Sequence, residues 1–438
     1  MLNKLSFRLN YSEVEERLDP IFYFKKSNLD IVNKTTLPVF KLKEVINMQR
    51  GRFGHRPRND PSFYDGDYPF IQTGDVVRAN FGSSISYSQT LNEKGLKTSR
   101  LFSEPVVVLT IAANIGYTAI LNYPACFPDS LIGLTSKNDL LELEYINIYI
   151  SLIRQHIEDL APQAAQKNIN YQQLASIPVV VPSKVIQNKI IELWNTAQDL
   201  EKSKRKKAEE KLASIENYLL NRLGVTPSPN DPSLNARTFI RKFSDVIGDR
   251  LDPFYYKEKS NYNLSMCPYS IQRLGTMINY ISTGLPIRAD KRVERGAYPY
   301  YGANGIIGYM DQYTHSGRYL VMGQDGYIGN HYIAEGKFWA SNHTWVINVI
   351  DSLKIDYLKN ILDILNYQYL ITGGVIPKIT QSAVKKIFIP VPPLNIQEEI
   401  ITYIQQIRDE AKKLEGEANL VLENAKQEIE KMILGGVV

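Results

Sequence analysis

The sequence predicts an α+β chain: two similar β-rich globular heads separated by two long helices that form an antiparallel coiled coil, related by a pseudo-twofold internal duplication. Three observations predict it. A set of short motifs occurs twice in the same order. Each copy ends in a charged helical segment of nearly 40 residues. A proline-rich stretch, Gly224–Arg237, separates the copies. At 438 residues the chain is too long for one ordinary core. The reading divides it into a first head (1–184), a first long helix (185–224), a linker (225–238), a second head (239–394) and a second long helix (395–438).

The duplication opens with ERLDPIFYF (Glu16–Phe24) and DRLDPFYYK (Asp249–Lys257). In each, Asp suits a helix N-cap and Pro the first helical position, where its missing N–H costs nothing. Alone this is a recurrent cap. Four further pairs follow in register: FKLKEVINMQRG (Phe40–Gly51) with QRLGTMINYISTG (Gln272–Gly284); GDYPFIQTGDV (Gly66–Val76) with GAYPYYGANGI (Gly296–Ile306); VVVLTIAANIGYTAI (Val106–Ile120) with RYLVMGQDGYIGNHYI (Arg318–Ile333); and LASIPVVVPSKVIQNKII (Leu174–Ile191) with VKKIFIPVPPLNIQEEII (Val384–Ile401). The order is kept while loop lengths drift, the mark of a duplicated unit.

Each head reads as short Val-, Ile- and Tyr-rich strands with Gly and Pro turns, plus helices at Tyr145–Leu160 and Ile355–Leu370. Val106–Leu121 is too short and polar for a membrane span and reads as a hairpin core. The long helices are predicted at Val185–Leu223 and Ile396–Leu434, each ending at a glycine C-cap, Gly224 and Gly435. Their apolar stripes run through Ile190, Leu193, Trp194, Ala197, Leu200, Leu212, Ile215 and Leu219, and through Ile400, Ile404, Ile407, Ala411, Leu414, Ala418, Leu422, Ile429 and Ile433, suited to packing one helix on another. At 1.5 Å per residue such a helix is about 55–60 Å long.

Catalytic motifs are not found. The sequence has no Walker A pattern, HExxH, GxSxG or amino-methyltransferase N/D-P-P-Y/F motif, and GQDGYIG (Gly323–Gly329) reads as a β-turn rather than a phosphate loop. The five histidines show no ligand spacing, and Cys126 and Cys267 give neither a disulfide framework nor a metal site, so no catalytic or metal residue is assigned. Nothing marks a signal peptide, and a cytoplasmic protein is the default.

The net charge of +5 is small; its distribution is informative. Arg50, Arg52, Arg56 and Arg58 crowd one loop, and Arg288, Lys291, Arg292 and Arg295 fill the equivalent loop of the second copy. One such loop is as well explained by solvated salt bridges. Two at matching positions favour a nucleic acid, where cations meet phosphates and Arg can read guanine. Gln166, Lys167, Asn168 and Lys378, in polar loops before the closing strands, are further candidates for base or phosphate contact.

Two β-rich heads, each followed by a long helix introduced by IPVVVPSKVIQNKI (Ile177–Ile190) or IFIPVPPLNIQEEI (Ile387–Ile400), resemble the specificity subunit of a type I restriction–modification system. The first copy departs from the signature, with Val180 where the second has Pro390, and Ser183-Lys184 where it has Pro393-Leu394. The resemblance implies that the heads are target-recognition domains, each reading one half of a split site in double-stranded DNA. It implies that the coiled coil sets the spacer and docks two modification (methyltransferase) subunits, which carry S-adenosylmethionine, with restriction (nuclease and translocase) subunits completing the complex. This chain would bind no cofactor and be non-catalytic. Other readings are the DNA-recognition subunit of a system whose partner fuses methylation and cleavage, a nuclease with an unfamiliar site, and a protein-interaction scaffold.

Overall fold

The structure, a computed structural model, describes residues 30–55, 59–80, 84–161, 168–227, 262–264, 266–287, 296–365, 367, 370–372 and 377–435. The paired motifs at Glu16–Phe24 and Asp249–Lys257 lie outside these residues. The chain forms two compact units. The first comprises Met1–Lys204 with Gly416–Val438, the second Arg205–Glu415. Each unit therefore holds a β-rich head and a part of each long helix.

In the first unit the central sheet is antiparallel, ordered Ile46–Arg50, Leu131–Ser136, Val106–Thr110, Thr118–Leu121. The predicted hairpin is the Val106–Thr110 and Thr118–Leu121 pair. Its run of apolar residues is explained by burial on both faces. Alternate side chains point to opposite sides of a strand. Val107, Leu109 and Ile120 join a core with Tyr145 and Ile148 of the helix Leu143–Leu152, whereas Val106, Val108 and Leu121 join Phe102 and Phe127. The helix predicted over Tyr145–Leu160 is two, Leu143–Leu152 and Arg154–Leu160, broken at Ile153. Ser151 Oγ bonds back to Asn147 O at 2.6 Å, a contact that loosens a helix at its end.

The second unit has a six-stranded sheet ordered Ile278–Thr283, Thr344–Val349, His315–Gly323, His331–Ala340, Tyr298–Gly302, Gly305–Met310. One pairing, Tyr298–Gly302 with His331–Ala340, is parallel. The helix predicted over Ile355–Leu370 ends at Ile364, where Leu365 turns to extended backbone.

The ends of each head are built alike. An entry strand pairs antiparallel with the strand that closes the head: Val39–Lys41 with Pro178–Val180, and Ser270–Arg273 with Phe388–Val391. Leu42 N–H donates to Ile177 O at 2.8 Å, and Leu274 N–H to Ile387 O at 2.7 Å. A fully buried glutamine in the first turn of each long helix then ties three segments together. Gln187 Nε2 donates to Pro182 O and Leu140 O, and its Oε1 accepts from Glu142 N–H. Gln397 donates to Pro392 O and Ser352 O and accepts from Lys354 N–H. A buried tyrosine completes each junction: Tyr145 donates to Val180 O, and Tyr357 to Pro390 O. Burial pushes both phenols well above their ordinary pKa.

The long helices span Lys184–Leu223 and Leu394–Ile433, 40 residues each. In the first unit Ile190, Trp194 and Ala197 share a core with Ala425, Ile429 and Ile433, and Lys204 pairs with Glu417 at 2.6 Å. In the second, Lys211 pairs with Glu410, Arg222 with Glu399 at 2.8 Å, and the Tyr218 and Tyr403 rings lie 4.1 Å apart. Partners on one helix descend as those on the other ascend, so the helices pair antiparallel. The stripe differs in its middle. Leu200 and Leu212 are exposed, while Ala208, inside the charged run Lys202–Lys211, is buried. Small Ala208 is covered where a leucine was expected to do the packing. Gly224 (φ +63°) and Gly435 (φ +87°) cap the helices in the left-handed region.

Candidate nucleic-acid interface

The antiparallel order fixes which loops meet. In the first unit the strand Ile46–Arg50 ends, Leu131–Ser136 begins, Val106–Thr110 ends and Thr118–Leu121 begins at one end of the sheet. In the second unit the corresponding end gathers the end of Ile278–Thr283, the start of Thr344–Val349, the end of His315–Gly323 and the start of His331–Ala340. The basic loops leave from these ends.

A glycine makes each departure possible. A Cβ on Gly51 would lie 2.3 Å from Pro128 O, and one on Gly284 2.2 Å from Ala340 O. The neighbouring amides are pinned in the same way: Gly51 N–H to Leu131 O and Arg52 N–H to Phe127 O, Gly284 N–H to Thr344 O and Leu285 N–H to Ala340 O. Arg50 and Arg52 are both exposed here. Arg50 Nε donates to Asp129 O at 2.5 Å, and Arg100 donates to Arg50 O. The structure thus adds Arg100, distant in sequence, to the basic cluster. Arg56 and Arg58 lie outside the described residues, as do Arg288, Lys291, Arg292 and Arg295 of the second loop and Gln166 and Lys167 of the first polar loop.

Asn168 and Lys378, both exposed, prove equivalent. Asn168 bridges Ala112 and Lys378 bridges Asp325, in the hairpin turns of their sheets. Ile169 N–H donates to Ile111 O, and Ile379 N–H to Gln324 O. Ile111 N–H in turn donates to Ser130 O, and Gln324 N–H to His343 O. The frame is therefore one backbone arrangement carrying two different sets of side chains.

In the second unit that set is denser. With its side-chain amide turned so that both ends find partners, Gln324 donates to Asn342 O and accepts from Lys378 Nζ, each at 3.0 Å. Thr283 Oγ1 also donates to Asn342 O, at 3.2 Å. His343 Nδ1 lies 2.7 Å from Asp325 Oδ1. Tyr327, at the tip of the turn, is 61% exposed. Sequence reading assigned Lys378 but not Gln324, Asp325 or His343. The available signal was the polar Gln-Asp pair inside the glycine-rich turn Gly323–Gly329.

Behind this face the two units differ again. Thr118 and Ser151 share a hydrogen bond at 3.0 Å between sheet and helix in the first. In the second, buried His331 bonds Asp363 through Nδ1 at 2.9 Å and Tyr367 through Nε2 at 2.8 Å. Lys359 adds a bond to Asp363 at 2.6 Å. Burial alone would raise the Asp363 carboxyl, but the bonds from His331 and Lys359 hold it below the usual carboxylate range.

Among the described residues no cluster of His, Cys, Asp or Glu could hold a metal ion, and no helix is long and apolar enough to cross a membrane. Cys126 and Cys267 are free thiols.

Repeated heads, paired helices and matched loop clusters define a duplicated two-unit protein with one loop frame at the same end of each sheet. The model of the type I restriction modification DNA specificity domain matches residues 35–210 and again 268–424. The chain belongs to this family, that of the type I restriction–modification specificity subunits. It is 22% identical over 385 residues to the EcoprrI type I restriction enzyme specificity subunit of Escherichia coli, covering 84% of this chain and 86% of that one. A Haemophilus influenzae protein assigned to the same subunit class is 36% identical over 126 residues, covering 28% of this chain and 32% of its own length. A solved chain from a study of assembly and conformational transition in a type I system matches over 91% of this chain and 97% of its own, with a TM-score of 0.57 at 14% identity; this likeness concerns the fold.

Proposed function

We propose that the chain is a non-catalytic, sequence-specific DNA-recognition subunit, each head reading one half of a bipartite target. The observation that carries this reading is the repeated loop frame, which presents Arg50, Arg52 and Asn168 in one unit and Lys378 in the other at the same end of the sheet. Exposed cations on a rigid frame suit phosphate contacts, and the polar groups between them suit base edges. In the sequence, Arg56 and Arg58 follow Arg52, and Arg288, Lys291, Arg292 and Arg295 follow Leu285, as further candidates for phosphate contact. Gln166 and Lys167 precede Asn168 in the sequence and are further candidates for base or phosphate contact.

The two 40-residue helices set the unread spacer and dock two modification subunits. S-adenosylmethionine is held by those subunits, not by this chain, and restriction subunits complete a cytoplasmic complex. The division into heads 1–184 and 239–394, helices 185–224 and 395–438, and linker 225–238 follows the same logic. A helix of 40 residues is about 60 Å long, and one DNA turn is about 34 Å, so the two half-sites fall between one and two turns apart.

Insertion or deletion of one helical turn in both long helices tests the ruler. The expected result is a changed spacer with both half-sites retained in the methylation pattern; an unchanged spacer contradicts it. Replacement of Arg50 and Arg52 by Ala tests the face. Each lost phosphate contact lowers the slope of log K against log salt by about 0.9. An unchanged slope removes these residues from the DNA backbone contacts.

A further inference from the structure

We propose that His343 is a specificity-determining residue of the second unit, held by Asp325 as the tautomer that accepts a hydrogen bond from an exocyclic amino group of a base, adenine N6 or cytosine N4. The inference rests on the DNA-reading function above and names one chemical group that it reads.

The geometry supports this in three ways. His343 is anchored by its main chain, its N–H to Ser341 Oγ at 3.2 Å and its carbonyl to Gln324 N–H at 2.8 Å. The preceding carbonyl, Asn342 O, is held by both Thr283 and Gln324. A side chain on such a frame loses little freedom on binding, which is the physical basis of preorganised recognition.

The ring is also oriented. Asp325 Oδ1 lies 2.7 Å from Nδ1, and an ionised carboxylate can only accept, so the proton resides on Nδ1. In the neutral ring Nε2 is then a lone-pair acceptor. Among the described residues no protein donor meets it, and the His343 side chain is 57% exposed while Asp325 is only 20% exposed. An acceptor on the major-groove floor complements the amino groups of adenine and cytosine. It opposes the O6 of guanine and O4 of thymine, acceptor against acceptor. Lys378, within hydrogen-bond reach of the same Gln324 amide, adds a cation to this loop cluster.

The pair is confined to one unit. The equivalents of Asp325 and His343 in the shared backbone frame are Ala112 and Ser130. The effect therefore falls on one half-site only.

The test is to map methylated adenines for the chain assembled with its modification subunits, as wild type, His343→Ala and Asp325→Asn. The wild type should give a bipartite motif in which His343→Ala makes one adenine or cytosine position of one half-site degenerate, with about tenfold loss of discrimination there. The other half-site and the spacer should be unchanged. Asp325→Asn, whose amide can donate to Nδ1 and leave the proton on Nε2, should shift that position toward guanine or thymine. This variant keeps the ring and reads out even if His343→Ala assembles poorly. A motif that both variants leave intact, or a relaxed position specifying guanine or thymine in the wild type, overturns the inference alone. No bipartite motif in the wild type overturns the function it rests on.

Discussion

The two units share their junctions and differ on their faces. Gln187 and Gln397 make the same three bonds, Tyr145 and Tyr357 the same one, and Gly51 and Gly284 the same close approach. At the ends of the sheets, by contrast, Ser130 stands opposite His343, Ala112 opposite Asp325 and Asn168 opposite Lys378. The lesson is that the retained contacts run to backbone carbonyls and amides, which almost any sequence supplies, while the exposed side chains are free to diverge. Even Val180 in place of Pro390 is tolerated, because the tyrosine reads the carbonyl and not the side chain.

The sharpest way to break this comparison is at the glycines. Gly51→Ala and Gly284→Ala each force a Cβ to within 2.5 Å of carbonyl oxygens, and each should destabilise its own unit by about 3 kcal/mol in thermal or denaturant unfolding. A tolerated alanine at one site only would show that the two departures are not equivalent. Next come the glutamines. Gln187→Ala and Gln397→Ala leave a buried amide and two carbonyls without partners and should each cost about 2–3 kcal/mol, nearly equally. Unequal losses would mean that one junction is the weaker copy.

A smaller effect separates the units by pH. The folded Asp363 carboxyl titrates below its unfolded value near 3.8, so its stabilisation is present above that value and is lost as pH falls through the folded one. Thr118 and Ser151, which take this place in the first unit, do not titrate in that range. Acid should therefore remove this contribution from the second unit, and Asp363→Asn should reduce the acid sensitivity of that unit. Smallest is the loss of a helix-pair ion pair. Lys204→Ala should cost at most about 1 kcal/mol, because exposed pairs are screened and entropically expensive.

Much of the fold was legible because it rests on local pattern. The long helices, their glycine caps, the buried hairpin and the duplication all follow from periodicity and repeated turns. Leu200 and Leu212 were assigned to the stripe because periodicity cannot tell which turns of a helix are covered. The break at Ile153 was invisible because it depends on a hydroxyl bonding back into the helix. Of the candidate site, Asn168 and Lys378 are proposed from polar loops in the sequence, and the structure makes them counterparts in the backbone frame. His343 with Asp325, and Arg100 with Arg50, were not, since each pair joins separate segments through the sheet.

The central claim is that two heads read two separate half-sites. Mapping methylated adenines in DNA from cells carrying this chain with its modification subunits tests it most directly. The account predicts two short specified sequences separated by a fixed unread spacer, with Arg50→Ala and Arg52→Ala weakening methylation without changing either specified sequence. A single continuous motif, or methylation independent of this chain, would contradict it.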